Sequence, residues 1–232
     1  MVKDDIQSVL WTIYQRKGYK ALVNCSWELM AYCEHNAFDM SYRQMKGEIA
    51  EVVLDCGLRE LQNAIRPSVV LKGLCIPIRS TGSTTELDLT FVTKKKIYLL
   101  ECKSYKNKPK VTDECLLGGS TDVAGQSKFH LKGLHEYIGK LCNKDNGTPY
   151  KFILFEMSTE GVDDQRTEEN KKRIPIANPN NFKDIILEDY NQGKDIWDFD
   201  SVVKVLKPLA SGSGEMFKKH LNRMIQKNKG GT

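Results

Sequence analysis

The feature that most constrains this chain is a pair of short apolar runs, LDLTFV at 87–92 and IYLL at 97–100, separated by a polar break that holds three lysines. Runs of this length, rich in β-branched and aromatic residues, read as the two strands of a hairpin. Each carries an acid where an apolar residue would serve a core better. Asp88 sits inside the first run, and Glu101 directly follows the second. If Lys94 and Lys95 form a two-residue turn, pairing symmetric about it sets Asp88 opposite Glu101, with Cβ atoms roughly 4.5–5.5 Å apart. A longer turn shifts that pairing.

Two carboxylates facing each other in an apolar sheet repel, and burial adds to the cost. A hard divalent cation relieves it, because Mg²⁺ takes oxygen ligands from one or two carboxylates together with water and phosphate. Lys103 lies two residues beyond Glu101 and, by strand alternation, on the same face. An ammonium there can orient a water and offset negative charge growing on a phosphate. The backbone carbonyl of Cys102, between the two side chains, is a further candidate ligand. The bland alternative is a surface Glu–Lys pair on an edge strand. The apolar run before Glu101 and the matched Asp88 argue against that.

The rest of the chain reads as helices around this β region. Ile6, Leu10 and Ile13 predict a helix that stops at Gly18, and a second piece runs about 27–35. A third starts from Ser41 as N-cap and carries Met45, Ile49, Val52, Val53 and Cys56 on one stripe until Pro67 ends it. Residues 69–71 and 75–78 read as short strands. A helix is expected over about 122–142, a turn at Asn146 and Gly147, a strand over 151–157, and helices over about 201–206 and 215–227.

The chain of 232 residues has 40% hydrophobic and 28% charged residues, ordinary values for a globular domain with a core. No apolar run approaches the roughly 20 residues that span a bilayer, and the first residues lack a signal-peptide layout. The expectation is an intracellular, cytoplasmic protein without a membrane partner. Seven scattered cysteines with no CxxC pair point away from a disulfide framework and from a zinc ribbon. A net charge of +5 mildly favours a polyanionic partner and decides nothing alone. There is no P-loop, no dinucleotide fingerprint, no HExxH and no GxSxG.

The segments ELDLTFV at 86–92 and LECK at 100–103 resemble the signature of the PD-(D/E)xK nuclease superfamily, the restriction endonuclease-like or Holliday-junction resolvase-like core. The likeness covers about residues 41 to 157. Leu87 stands where the superfamily usually writes proline. The resemblance implies an α/β fold: a mixed central sheet flanked by helices, here with helical N- and C-terminal extensions. The expected domains are an N-terminal extension over 1–40, the nuclease core over 41–160, and a C-terminal extension over 161–232.

The resemblance also implies a Mg²⁺- or Mn²⁺-dependent hydrolase of phosphodiester bonds, with a DNA endonuclease favoured. The alternatives are an RNA-cutting member and a non-cutting nucleic-acid-binding subunit of a larger defence or recombination complex. Asp88, Glu101 and Lys103 are then the catalytic set. Family members often add an acid from the first core helix. Gly47 points to Glu51, four residues on, with Glu48 on the same helix face as second choice. Gln126 matches the glutamine that many members carry in the helix after the ExK strand, although His130 stands where an aromatic is usual. Arg79, Lys106, Lys108 and Lys128 are candidates for the nucleic-acid backbone; solubilising charge is the bland reading of the same residues. A homodimer or a larger complex is a further expectation.

Overall fold

Backbone direction reverses at one glycine near the N-terminus, and that reversal builds the first helical layer. The computed structural model describes residues 2–35, 40–77, 80, 84–104, 108, 110–113, 123–142 and 149–210, with backbone alone at 2–5, 40, 41, 43, 84, 85 and 123–130. Helix α1 (Val2–His35) is continuous except at Gly18, where φ 80 and ψ 177 break the helical path. Only glycine adopts that conformation cheaply. Before Gly18 the contacts climb helix α2 (Met40–Ala64): Gln7 bonds Glu48, and the Arg59 guanidinium lies 5.1 Å from the Trp11 ring. After Gly18 they descend it. Tyr19 lies against Gly57, and Cys33 Sγ lies 3.5 Å from Met45 Sδ. The stop expected at Gly18 is therefore present, and the second helical piece begins earlier than expected, directly after it. Ser41 lies inside α2 rather than capping it, since the helix already includes Met40.

The strands are β1 (Ser68–Pro77), β2 (Thr84–Thr93), β3 (Ile97–Lys103), β4 (Lys110–Val111), β5 (Tyr150–Glu156), β6 (Asp163–Asp164) and β7 (Ile176–Ala177). Five form the central sheet in the order β1-β2-β3-β5-β7. β1–β2 and β2–β3 are antiparallel and β5–β7 is parallel. Ile97 N–H donates to Pro149 C=O and Met157 N–H donates to Lys103 C=O, so partner numbers rise together along both strands and β3 and β5 are parallel too. The fold is thus α/β with a mixed five-stranded sheet flanked by helices and with helices at its N-terminal side. The hairpin turn is the expected one. Thr93 N–H donates to Lys96 C=O at 3.0 Å, and the ladder pairs Val92 with Ile97 through Leu89 with Leu100. The two short strands expected at 69–71 and 75–78 are one strand, carried through Gly73 at φ 57.

The remaining helices are α3 (Val123–Ile138), α4 (Glu168–Arg173), α5 (Phe182–Gln192) and α6 (Phe199–Leu206). The sequence reading missed α5 and the two-residue β7. The turn at Asn146 and Gly147 and the helix expected over 215–227 lie outside the described residues. Cys25, Cys33, Cys56 and Cys75 are thiols. No described helix is long and apolar enough to cross a membrane.

The chain divides into two units. The first comprises Met1–Ile65, Glu101–Asp113 and Ile153–Asp189; the second comprises Arg66–Leu100, Glu114–Phe152 and Tyr190–Thr232. The first packs Leu10, Leu22, Met30, Ile49, Phe155 and Phe182 at 0% exposure. The second packs Leu74, Leu89, Phe91, Tyr98, Leu134 and Val202 as completely. Helix α3 lies against β1 and β2 in the second unit.

Candidate active site

Strand β3 changes character at Glu101. Ile97 through Leu100 are fully buried, as a central strand requires, and the polar residues then begin. Glu101 is itself buried, with 6% exposure. Its Oε1 accepts a hydrogen bond from Lys103 Nζ at 3.0 Å. The carboxylate is the inner partner, with 9% of its side chain exposed against 25% for the lysine. Burying a carboxylate is tolerable when a cation shares the site. Here the lysine supplies that charge while its ammonium keeps access to solvent. Cys102 between them is half-buried, and the carbonyl of Lys103 is held by Met157 N–H at 3.1 Å. The expected common face of Glu101 and Lys103 is therefore present as a direct ion pair.

Asp88 lies on β2, half-buried between Leu87 and Leu89, both fully buried. The β1–β2 ladder passes from Lys72–Leu89 to Leu74–Leu87 and omits the pair between them, Gly73 with Asp88. Gly73 there has positive φ, the local distortion that a glycine inside a strand commonly marks. Asp88 is one residue past the last β2–β3 pair on its strand, and Glu101 is one residue past it on β3.

On α2, Glu48 and Glu51 are both half-buried. Glu48 Oε2 accepts a hydrogen bond from the Gln7 amide, which ties it to α1. Lys108 is exposed, and its N–H donates to Glu160 Oε2 at 3.3 Å. Gln126 and Lys128 lie in α3, with side chains outside the described residues; Arg79 and Lys106 lie outside them altogether. No group of three or more His, Cys, Asp or Glu side chains placed to hold a metal occurs among the described residues. A magnesium ion needs only one or two carboxylates, and the candidate set is all oxygen, which suits a hard cation.

Sequence reading missed Lys46, Glu34 and Glu156, three charged residues gathered in the first unit. The signal was legible for Glu156, which ends the run FILF as Glu101 ends IYLL.

Residues 46–155 match the family described as NERD, nuclease-related domain. No curated protein matches the chain. A solved structure described as "Crystal Structure of Protein of Unknown Function AF1548" aligns at 9% identity, covering 79% of this chain and 97% of its own, with a TM-score of 0.33.

Proposed function

Residues 46–155 belong to the nuclease-related NERD domain, and so to the restriction endonuclease-like PD-(D/E)xK superfamily; from that premise we propose that the chain is a Mg²⁺- or Mn²⁺-dependent nuclease, favouring DNA and cutting internally. The observation that carries the reading is the buried Glu101 carboxylate paired with the Lys103 ammonium at the end of β3, inside the matched stretch. DNA is favoured over RNA because the superfamily resemblance is chiefly to DNA-cutting enzymes.

The metal would be held by Glu101 and Asp88, with the Cys102 carbonyl and Glu51 as further donors. Glu51 is preferred over Glu48 because it stands four residues after Gly47, where the resemblance places the helix acid. Bound there, the ion supplies Lewis acidity toward a phosphoryl oxygen and a more acidic water. The protein's own part is positional and electrostatic. Lys103 keeps the Glu101 carboxylate oriented and presents an ammonium toward the attacking water. The same ammonium offsets negative charge as the phosphoryl group moves from one oxygen to another. Gln126 on α3 would join the catalytic set, and Arg79, Lys106, Lys108 and Lys128 would hold the nucleic-acid backbone.

The test is cleavage of supercoiled plasmid, linear duplex, single-stranded DNA and RNA with Mg²⁺, Mn²⁺ or EDTA. Metal-dependent cutting should fall about 10²–10⁴-fold in Lys103→Ala, the range for a lost electrostatic or proton-handling group, with folding unchanged. Cutting that survives both EDTA and Lys103→Ala would sink the assignment.

A further inference from the structure

The outgoing end of β5 repeats the pattern of the end of β3, and the acid there belongs to a second buried polar group. Glu156 is 4% exposed. The Ser158 N–H serves its carboxyl, but Oε1 is buried with no hydrogen-bond partner among the described residues, as is Ser158 Oγ. Glu34 on α1 and Lys46 on α2 face it. Lys46 Nζ lies 3.3 Å from Glu34 Oε1, with side-chain exposures of 5% and 14%. The other oxygen of Glu34 accepts from Thr159 Oγ1. Three elements thus meet through two carboxyls and one ammonium, with little water to screen them.

This group borders the residues assigned to catalysis. Met157 N–H bonds the Lys103 carbonyl, which makes Glu156 the ladder neighbour of Lys103. Lys46 is five residues before Glu51 on the same helix. We propose that Glu156 is a positioning residue for the Lys103 centre: with Lys46 and Glu34 it fixes the start of α2 against the end of β5, and so the aim of Lys103 and Glu51. The role assigned to Glu156 rests on the nuclease reading above.

Charge balance among the described residues explains how it acts. The Lys46 ammonium offsets the Glu34 carboxylate, and the Glu156 carboxyl is accommodated as the neutral acid. Burial first, and the charge of Glu34 second, push Glu156 up to about 7, against the Ser158 N–H and Lys46, which act downward. When Glu156 ionises, it repels Glu34 and competes for Lys46, and the joint loosens. Glu156→Gln mimics the neutral form at every pH.

The experiment has two readouts on the full chain. Carboxyl NMR of the wild type should show one glutamate titrating well above the ordinary range, assigned by its disappearance in Glu156→Gln. Glu34→Gln, which keeps the proposal testable should Glu156→Gln fold poorly, should move that titration down. In the cleavage assay, the ratio of kcat for Glu156→Gln over wild type should rise with pH, about tenfold by one unit above the Glu156 midpoint, with KM little changed. A Glu156 carboxyl that titrates in the ordinary range overturns the proposal whether or not anything is cut. A flat ratio with an elevated titration overturns the positioning role alone. A wild type that cuts none of the substrates, while the titration is elevated, overturns the nuclease reading and with it the role in catalysis.

Discussion

The two units bury different things. In the first, Lys46, Asp55, Glu101, Glu156 and Arg166 are buried with their charges or titratable groups, along with Ser26 and Ser158. In the second, the buried polar side chains among the described residues are Thr90 and Thr93. β3 crosses from one regime to the other between Leu100 and Glu101. A hairpin core of leucine, isoleucine and aromatics is stable at any ordinary pH, because nothing in it titrates. Buried charge is different: it stabilises only while its partners and protons are in place. The unit that tolerates that cost also holds Glu101 and Lys103. On the proposed nuclease reading, the buried charge at Glu101 serves chemistry rather than stability.

The largest expected effect tests the apolar side. Phe91 is fully buried and packs on Tyr98 with ring centroids 6.2 Å apart. Phe91→Ala should cost about 3–5 kcal/mol through lost burial and a cavity. The loss should be the same at pH 5 and pH 8 in denaturant titrations. A loss that varies strongly with pH would break the contrast between the units.

Next is the best-satisfied charge of the first unit. Arg166 Nε and Nη2 grip the two oxygens of Asp164 at 2.7 Å each, and Nη1 donates to the Ile174 carbonyl at 2.7 Å. Its side chain is 1% exposed and that of Asp164 is 25%. Arg166→Ala should cost about 3 kcal/mol, toward the low end for a broken buried pair because Asp164 regains some water. Arg166→Lys should recover only part of this, since an ammonium cannot form the two-pronged contact. Equal stability of the lysine variant and wild type would show that charge alone matters there.

The contrast also explains what the sequence disclosed. The hairpin was legible down to its turn because two apolar runs around a lysine cluster leave one symmetric register that buries both. Glu101 and Lys103 were legible because strand alternation fixes their common face. Gly18 was legible as a helix stop, but the reversal it makes along α2 depends on which residues Gln7, Trp11 and Tyr19 meet, and no local pattern encodes that. Helix α5 was missed because Ile185, Ile186 and Leu187 form one short run flanked by charge rather than a helical stripe, and its burial comes from Phe182 meeting Phe155 and Tyr19. The Glu34–Lys46–Glu156 group joins residues over a hundred positions apart. A single sequence shows each only as one more charged residue. Lys46 reads as a solvated helix lysine until the fold places it at 4% exposure.

A third effect sharpens the comparison through pH. Glu156 is pushed up to about 7 in the folded chain from an ordinary value of 4.5. Between those values the folded state holds a proton that the unfolded state has released, so stability falls as pH rises through that window. It levels off above about 7. Wild type should therefore lose about 3 kcal/mol relative to Glu156→Gln between pH 4.5 and 7.5. Asp164 acts in the opposite sense: its hydrogen bonds with Arg166 lower its pKa, and its contribution is lost only as the solution becomes strongly acidic. Parallel stability curves for wild type and Glu156→Gln would remove the titrating group from the first unit's account.

The smallest effect tests whether the second unit is as free of polar dependence as its core suggests. Trp197 Nε1 donates to the Thr93 carbonyl at 2.7 Å, and its ring lies 6.2 Å from Tyr150. That bond caps the end of β2 where the hairpin turns, and Ile196 N–H bonds the Lys94 carbonyl beside it. Trp197→Phe keeps an aromatic ring but removes the donor, and should cost about 1 kcal/mol, the net worth of one neutral hydrogen bond. The loss should not change between pH 5 and 8, because neither partner titrates there. Hydrogen exchange should show it locally, with faster exchange at the Thr93 and Ile97 amides and little change along α2. If the loss instead spread to α2, or grew with pH, the turn would be coupled to the charged group of the first unit, and the division into a pH-indifferent hairpin and a pH-sensitive unit would have to be redrawn.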